Sequence, residues 1–528
     1  MLNRIGKPSS INTLLLVTVF LFCAVSITLI VPTPVQLIQD QDWSHQLAGA
    51  NQILKGEHPF SDFLATYGPL TFYASALAQT LSGTRVLGEI VLIVAGFSVA
   101  YTLLFWIMCS ITQEKVLAFV LLIILIILIP RLYKYYIVLG PALTMFWFWD
   151  YLECPKRTKF CLVALGVVMT GLFRPDFGIY MVICIAITLL ARPVINMRQR
   201  FFDLLCLACI ILIFAFPWLA LLSIKGGLSD YIYASTINAA SHASGMSLPL
   251  TASENMFSKE YIQFLVKIAF NFIPGISLIL FVRRKNSMDL TTRSRLLAII
   301  IAAQLTLIQG LHRSDWGHFL QSIPMTFVLL AYLIKQAILS VSRKNIFFPF
   351  IGLGTSIGLL VAMVLFSLPA WGNISIKDTW QSLKSYDLPR AQFVNSLIQK
   401  YPENEILQVM DFIRNCTSPG EKLIAWPYLL DFYYYTDRPL GSRYIGLSPG
   451  FFSAQKYQMR AIKELADEEV RFFIYRPITF TATAINISDY VPLIAKYLDQ
   501  TYIPLRQYGD ITIYVRHNTK PFPACTCE

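Results

Sequence analysis

The sequence predicts an α-helical polytopic membrane domain followed by a small C-terminal α/β domain. Two properties of the whole chain lead to this prediction: 55% of its 528 residues are hydrophobic and 14% are charged, and the mean hydropathy is +0.57. Soluble globular domains carry about 25% charged residues, so this composition argues against a soluble multidomain protein. A third observation is that the apolar residues are gathered in long runs.

The apolar runs define eleven candidate membrane spans, since about 20 apolar residues cross the roughly 30 Å of hydrocarbon in a bilayer. Seven of them are the better candidates, namely 12–31, 86–111, 204–224, 262–282, 296–309, 319–333 and 346–371. Four are short, and each is either a span or a tilted, interfacial or re-entrant segment, namely 116–130, 136–151, 160–173 and 177–191. We therefore predict about eleven transmembrane helices.

Basic residues between the runs predict the orientation of the chain. If all eleven runs cross the membrane, six basic clusters fall on one side, and cytoplasmic loops are the ones enriched in Lys and Arg. The N-terminus is then cytoplasmic, the first run is a retained span, and the C-terminal segment is extracytoplasmic. The net charge of +12 comes from these short clusters. Because no basic face or motif accompanies them, we expect no nucleic-acid partner.

The hydropathy drops near Gly372, which predicts two domains. The first is a transmembrane domain at 1–371 with a first outer loop at 32–85, and the second is an extracytoplasmic α/β domain at 372–528. Within the second, the spacing predicts a helix at 404–416, a strand within 418–426, a helix and a strand within 461–477, and a strand at 508–516. Without a glycine-rich phosphate loop or paired metal ligands, this domain is expected to pack over the membrane face or help hold an acceptor.

The first outer loop carries two carboxylates close to a span. Asp40 and Asp42 share a face if their segment is extended and diverge if it is helical. A solvated loop would explain either acid, but a carboxylate partly desolvated near the membrane surface can also act as a general base. Their Asp-x-Asp spacing also occurs in metal-dependent enzymes, so a divalent metal stays an alternative.

An ordered set of residues follows Asp42 along this loop. An acid is followed by a short helix that ends in Leu-x-Gly, a Pro-aromatic-x-Asp-aromatic stretch, and Pro-Leu-x-aromatic-Tyr. The set is Asp42, Ala50, Leu54, Gly56, Pro59, Phe60, Asp62, Phe63, Pro69, Leu70, Phe72 and Tyr73. In this order the loop resembles the first outer loop of the glycosyltransferase C superfamily, which includes protein O-mannosyltransferases and aminoarabinose transferases. It departs from the usual pattern at Trp43, Gln46 and Gly68.

The resemblance implies an integral membrane glycosyltransferase, expected in a bacterial inner membrane among membrane lipids. Its donor would be a polyprenyl-phosphate sugar, and its acceptor a lipid, polysaccharide or protein on the extracytoplasmic face. The resemblance places the base at Asp42, with inversion at the anomeric carbon, and Asp40 is the candidate to assist it. No cofactor is required, because a monophosphate leaving group does not need a metal.

A departing lipid phosphate needs positive charge or hydrogen-bond donors at the outer leaflet. Arg174, His312 and Arg313 follow apolar runs on the predicted outer side, which makes them candidates to bind the donor phosphate. The pairs Arg174 with Asp176 and Arg313 with Asp315 could instead be local ion pairs that neutralise charge near lipid.

Two further loop residues are candidates to contact the acceptor or support the loop, namely His45 and Asp62. Two other function classes stay open. A transporter or flippase for a lipid-linked glycan would carry charged residues inside spans, of which Lys267 is the clearest, and an internal repeat, which is not evident. A non-catalytic membrane scaffold would use the C-terminal domain for binding.

Overall fold

The structure is a computed structural model that describes residues 12–128, 130–192, 196–248, 250–251, 255, 258–341, 347–372, 374–478 and 485–517. The chain is mostly helical and ends in a small β-sheet. Its contacts divide it into two compact units, which are described separately below. Unit 1 comprises Met1–Val31, Ile93–Pro217 and Ser247–Ile376, and unit 2 comprises Pro32–Leu92, Trp218–Met246 and Lys377–Glu528.

The first twelve α-helices cover the chain up to residue 245. They are α1 (Thr13–Leu29), α2 (Pro34–Gln39), α3 (Gln41–Leu54), α4 (Pro69–Leu81), α5 (Val86–Thr112), α6 (Lys115–Ile127), α7 (Tyr135–Glu153), α8 (Arg157–Phe173), α9 (Pro175–Leu190), α10 (Met197–Ile224), α11 (Leu228–Tyr233) and α12 (Ala239–Gly245).

The remaining helices and the four strands follow in chain order. The helices are α13 (Lys259–Arg284), α14 (Leu290–His312), α15 (Trp316–Ser322), α16 (Pro324–Val341), α17 (Phe347–Trp371), α18 (Ile376–Tyr386), α19 (Arg390–Lys400), α20 (Glu405–Cys416), α21 (Asp431–Tyr435), α22 (Gln455–Asp467) and α23 (Pro492–Thr501). The strands are β1 (Leu423–Trp426), β2 (Phe472–Tyr475), β3 (Tyr502–Tyr508) and β4 (Ile511–Arg516).

Several helices have the length and composition of membrane spans. Within the described ranges, four helices are long and apolar enough to cross a membrane, namely α5, α10, α13 and α14, and the pair α15 and α16, bent by 62°, adds a fifth if it forms one span. The chain is therefore an integral membrane protein. Each of the eleven predicted runs contains a helix, although residues 129 and 346 lie outside the described residues. The count of about eleven spans stays a prediction.

Small residues allow the helices of unit 1 to pack closely. A Cβ on Gly178 of α9 would lie 2.5 Å from the Cα of Gly171 on α8, and a Cβ on Gly140 of α7 would lie 2.9 Å from the hydroxyl of Thr170. The hydroxyl groups of Thr144 and Thr170 meet at 3.0 Å between α7 and α8. Close backbone approach at small residues and hydroxyl contacts between helices are typical of helix packing in membranes.

In unit 2 the first outer loop folds into α2, α3 and α4, and the last two of these helices pack against each other. A Cβ on Gly49 of α3 would lie 2.3 Å from the ring of Phe72 on α4, so only glycine allows this approach. The turn between the helices uses Gly56, whose φ of +89° favours glycine. Helix α4 then begins at Pro69, at the first helical position, where proline costs no hydrogen bond.

The C-terminal part of unit 2 forms a four-stranded sheet in the order β1-β2-β4-β3. Strands β1 and β2 are parallel and are joined through α22, while β4 is antiparallel to β2 and β3. The predicted helix at 404–416 is α20, and the predicted strands are β1, β2 and β4, so the predicted α/β character is confirmed. Strand β3 was not predicted. The boundary between domains at residues 371 and 372 stays a prediction.

Candidate active site

The first turn of α3 carries both candidate acids in different roles. Asp40 is the N-cap of this helix, and its carboxylate accepts a hydrogen bond of 3.1 Å from the backbone N–H of Trp43. N-cap carboxylates stabilise helices because they accept from the unpaired N–H groups of the first turn. Asp42 is the second residue of α3. Asp40 therefore has a structural role at the start of the helix, and its part in catalysis stays a prediction.

The segment between α3 and α4 returns to the first turn of α3. There the hydroxyl of Tyr67 donates a hydrogen bond of 3.3 Å to Oδ1 of Asp42. One residue earlier, the hydroxyl of Thr66 lies 3.3 Å from Nε2 of the buried His45. The rings of His45 and Tyr67 also meet edge to face at 5.3 Å. The loop thus places Tyr67 as a direct partner of Asp42, with His45 packed beneath it.

The shape of this return segment depends on its own polar contacts. Asp62 accepts a hydrogen bond of 2.7 Å from the backbone N–H of His58, and Nδ1 of His58 lies 2.8 Å from the hydroxyl of Tyr73 on α4. Phe60 adopts a φ of 69°, a left-handed conformation that non-glycine residues rarely adopt. The side chain of Asp62 therefore closes the turn that carries the chain back toward Asp42.

A buried acid from the C-terminal part of unit 2 lies against the other side of this helix turn. Asp431, the first residue of α21, is 0% exposed. Its Oδ2 accepts a hydrogen bond of 2.9 Å from Nε2 of Gln41, and its Oδ1 accepts one from the hydroxyl of Ser44. Burial raises the pKa of Asp431 to about 8, the Ser44 hydrogen bond lowers it, and the charge of Asp40 raises it further.

In unit 1, the C-terminal end of α14 gathers two of the candidate arginines. With its amide oxygen facing Arg174, Gln309 accepts hydrogen bonds of 3.2 and 3.0 Å from Nη1 and Nη2 of that residue. Arg313 follows Gln309 by one helical turn and is the C-cap of α14. Cations are favourable at this end of a helix, because its carbonyl groups make it the negative end of the helix dipole.

A third arginine joins this end of α14 through Asp315. Oδ2 of Asp315 lies 3.2 Å from Nε of Arg313 and 2.5 Å from Nδ1 of His318. Arg131 reaches the same cluster, with Nη2 at 3.6 Å from Oδ1 of Asp315 and Nη1 at 3.3 Å from Nε2 of His318. Burial alone would raise the pKa of Asp315, but the His318 hydrogen bond and the Arg131 charge hold it well below its ordinary value.

The two ion pairs that the sequence offered as an alternative are both present. Nε of Arg174 lies 2.9 Å from Oδ1 of Asp176, and Arg313 pairs with Asp315 as described. The side chain of His312 is exposed, and its backbone carbonyl accepts a hydrogen bond of 3.3 Å from the Ser247 hydroxyl. Phosphate binding by any of these residues stays a prediction.

The chain is similar to known proteins in structure, but the sequence comparisons find no match. No family model matches the chain, and no curated protein matches it. The crystal structure of ArnT from Cupriavidus metallidurans bound to undecaprenyl phosphate superposes with a TM-score of 0.50 at 11% sequence identity. The match covers 95% of this chain and 97% of the ArnT chain. The chain shares the fold of ArnT. The fold that the resemblance of the first outer loop implies is thereby confirmed.

Two other solved structures are similar to the chain. ArnT from the same organism in the apo state matches with a TM-score of 0.48 and 13% identity over 95% of this chain and 97% of that one. The archaeal oligosaccharyltransferase AglB from Archaeoglobus fulgidus, in complex with an inhibitory peptide and a dolichol-phosphate, matches with a TM-score of 0.47 and 11% identity. That match covers 96% of this chain and 75% of the AglB chain.

The sequence did not single out Tyr67, Arg131 and Asp431, which the structure brings into the sites described above. Arg131 had a signal, because it follows an apolar run on the predicted outer side, as Arg174 and Arg313 do. Asp431 had a weaker one, since it is an acid between apolar residues in "LLDFYYY". Within the described part of the chain, no group of three or more His, Cys, Asp or Glu is arranged to hold a metal ion.

Proposed function

We propose that the chain is a membrane glycosyltransferase that moves a sugar from a polyprenyl-phosphate donor to a hydroxyl group outside the cytoplasm. The observation that carries the proposal is the setting of Asp42, in the first turn of α3 and hydrogen-bonded to Tyr67. Support comes from the ordered loop motif and from the shared fold of ArnT, whose crystal structure contains undecaprenyl phosphate. The acceptor is a lipid, a polysaccharide or a protein.

In the proposed reaction, an acceptor oxygen attacks the anomeric carbon of the donor sugar. A bond forms between these two atoms, and the bond from the anomeric carbon to the phosphate oxygen breaks, with its electron pair leaving on the lipid phosphate. The acceptor proton passes to the carboxylate of Asp42, which acts as the general base. Attack occurs on the face opposite the departing phosphate, so the configuration at the anomeric carbon inverts.

The arginines at the end of α14 are assigned to the donor phosphate. Arg131 and Arg313 share Asp315, and Arg174 is held by Gln309, so the guanidinium groups are oriented before a ligand arrives. Preorganised positive charge stabilises a leaving phosphate without reorganisation during the reaction. Guanidinium groups also pair well with phosphate oxygens, because their N–H groups form a fork that matches two of these oxygens.

The intramembrane charge that would favour a transporter has a local partner. Lys267 on α13 donates a hydrogen bond from its amino group to the backbone carbonyl of Ser314. In this position it supports the turn between α14 and α15 that carries Arg313 and Asp315. Through this hydrogen bond, Lys267 stabilises the turn that carries part of the proposed phosphate site. No observation favours the transporter or the scaffold over the glycosyltransferase.

The proposed function is tested by comparing cells that lack the protein with cells that carry the wild type or Asp42→Asn. Mass spectrometry of extracted lipids and surface glycans identifies the product that is missing. We expect the same sugar to be absent from the deletion strain and from Asp42→Asn, because an amide cannot take the acceptor proton. The missing mass gives the sugar, and the molecule that lacks it gives the acceptor class.

Asp411→Asn is the matched control. Asp411 lies on α20 with an exposed side chain, so the same chemical change there leaves both proposed sites intact. Its glycans should equal those of the wild type at equal protein level. A wild-type glycan profile in Asp42→Asn cells would overturn the assignment of the base, and a wild-type profile in the deletion strain would overturn the proposed function.

A further inference from the structure

Asp431 accepts hydrogen bonds from one residue before and one residue after the proposed base in the sequence. Through its two carboxyl oxygens it accepts hydrogen bonds from Gln41, immediately before Asp42, and from Ser44, two residues after it. All of these residues belong to unit 2, and Asp431 is fully buried. One carboxyl group therefore fixes the first turn of α3 on both sides of Asp42.

We propose that Asp431 is a positioning residue for Asp42, which holds Gln41 and Ser44 and so sets the direction of the Asp42 carboxylate. This role rests on the proposed function, because a residue can position a base only if Asp42 is one. Asp431 itself has no contact with substrate in this role. The expected effect is on the rate of transfer, since a displacement of about 1 Å at a reacting group can lower a rate about a hundredfold.

Asp437, which follows α21 in the chain, holds the C-terminal end of α3 by different contacts. Oδ1 of Asp437 accepts a hydrogen bond of 3.3 Å from Asn51 and lies 3.2 Å from Nζ of Lys55. Oδ2 of Asp437 lies 2.9 Å from Nη2 of Arg390 on α19. Asp431 and Asp437 thus lie at opposite ends of α3. Of the two, Asp431 is the one that contacts the turn that carries Asp42.

Burial favours the neutral form of Asp431, although the hydrogen bonds that it accepts from Ser44 and Gln41 favour the ionised form. Burial raises its pKa to about 8, so most of it keeps its proton at pH 7. Two acceptors for that proton are at hand. One is the Ser44 hydroxyl oxygen, and the other is Oε1 of Gln41, a buried atom with no hydrogen-bond partner in the described part of the chain. Turning the Gln41 amide by a half rotation would bring this oxygen toward Oδ2 of Asp431.

Ionisation of Asp431 should weaken this arrangement at alkaline pH. The titratable groups whose charges interact with that of Asp431 are Asp40 at the cap of α3 and Tyr435 on α21. A second negative charge beside Asp40 is unfavourable, and the repulsion acts on the N-cap of α3, at the turn that carries Asp42. We therefore expect the transfer rate to fall on the alkaline side, with a midpoint near the Asp431 pKa of about 8.

The experiment measures steady-state transfer by the full-length protein in liposomes, with donor and acceptor taken from the glycan comparison. The variants are Asp431→Leu, Asp431→Asn, Ser44→Ala and, as the matched control, Asp437→Asn. We expect Asp431→Leu to lower kcat at least about thirtyfold with little change in donor KM, because chemistry and not binding depends on the direction of Asp42. Asp431→Asn should restore most of kcat and remove the alkaline fall.

The outcomes separate this role from a purely structural one. A structural residue would lower the amount of folded protein and leave kcat per folded molecule and the pH profile unchanged, and that result for Asp431→Leu would overturn the proposal. If Asp431→Leu does not fold, Ser44→Ala decides, with at least about a fivefold loss in kcat expected and a wild-type kcat contradicting the proposal. Asp437→Asn should keep kcat while lowering thermal stability. If Asp437→Asn lost as much kcat as Asp431→Leu, the proposed positioning role of Asp431 would also be contradicted.

The same assay contains Asp42→Asn, which separates the two proposals. If Asp42→Asn is inactive and Asp431→Leu has wild-type kcat, the proposed function stands and the positioning role fails. If Asp42→Asn has wild-type kcat, both fail together.

Discussion

The hydroxyl of Tyr67 donates a hydrogen bond of 3.3 Å to Oδ1 of Asp42. The two residues lie 25 positions apart, and the turn closed by Asp62 and the packing of α3 on α4 bring them together. A carboxylate that accepts a hydrogen bond from a tyrosine on a packed loop has fewer rotamers available. Tyr67 is therefore expected to keep the proposed base oriented.

Replacing Tyr67 with phenylalanine should reduce sugar transfer without unfolding the loop. The ring contact with His45 survives in Tyr67→Phe, while the donor to Asp42 is lost. Since a hydrogen bond to a charged group contributes about 1.5–3 kcal/mol, we expect kcat to fall at least about tenfold. Transfer in liposomes measures this effect. Tyr401→Phe is the control, because this tyrosine at the C-cap of α19 is exposed and lies outside the loop, and equal losses in both variants would contradict a specific role for Tyr67.

Removing the charge of Arg313 should weaken binding of the lipid phosphate. A charge-assisted hydrogen bond contributes about 1.5–3 kcal/mol, so Arg313→Ala should raise the Kd for undecaprenyl phosphate about thirtyfold. Titration of the purified protein with this lipid measures the Kd. Lys159→Ala removes a charge paired with Asp150 at the other end of the helix hairpin α7–α8 and should leave the Kd unchanged. An unchanged Kd in Arg313→Ala would remove this residue from the phosphate site.

A methyl group at Gly317 should displace Arg131. A Cβ at this position would lie 2.6 Å from Nε of Arg131, and the flexible arginine would yield before the backbone. Gly317→Ala should therefore weaken binding of undecaprenyl phosphate about tenfold, as partial loss of one charged contact would. Gly275→Ala on α13 is the matched control, because a Cβ there meets nothing within 4 Å. A Kd equal to that of the wild type in Gly317→Ala would argue against phosphate binding by Arg131.

Much of the fold could be predicted because it depends on local patterns. Each apolar run contains a helix, and α20, β1, β2 and β4 appear where spacing and turn residues indicate them. Strand β3 escaped prediction since it lies at the edge of the sheet, with Pro504 in its middle and most side chains exposed. Edge strands tolerate proline and need no alternation of apolar residues, so they leave a weak pattern in sequence.

The candidate site could be predicted in part, for a different reason. Asp42 and the loop residues belong to one ordered motif, and the outer arginines follow apolar runs, so sequence alone pointed to them. The partners of Asp431 lie 387 and 390 positions away, and no local pattern can report such a pairing. The structural role of Asp40 was equally hidden, because two acids two residues apart can cap a helix, share a face or diverge, depending on where the helix begins.

The buried carboxyl of Asp431 should also make the stability of the protein depend on pH. Its pKa of about 8 in the folded protein lies above the value of about 3.9 for an unfolded aspartate. Between these values the folded state binds a proton that the unfolded state releases, so the contribution of Asp431 to stability falls as the pH rises from about 4 to about 8. Thermal unfolding in detergent should show the Tm of the wild type, relative to that of Asp431→Asn, decreasing across this range. For the exposed Asp411→Asn, the difference in Tm from the wild type should stay constant over this pH range. A constant difference in Tm for Asp431→Asn as well would mean that Asp431 is ionised in the folded protein.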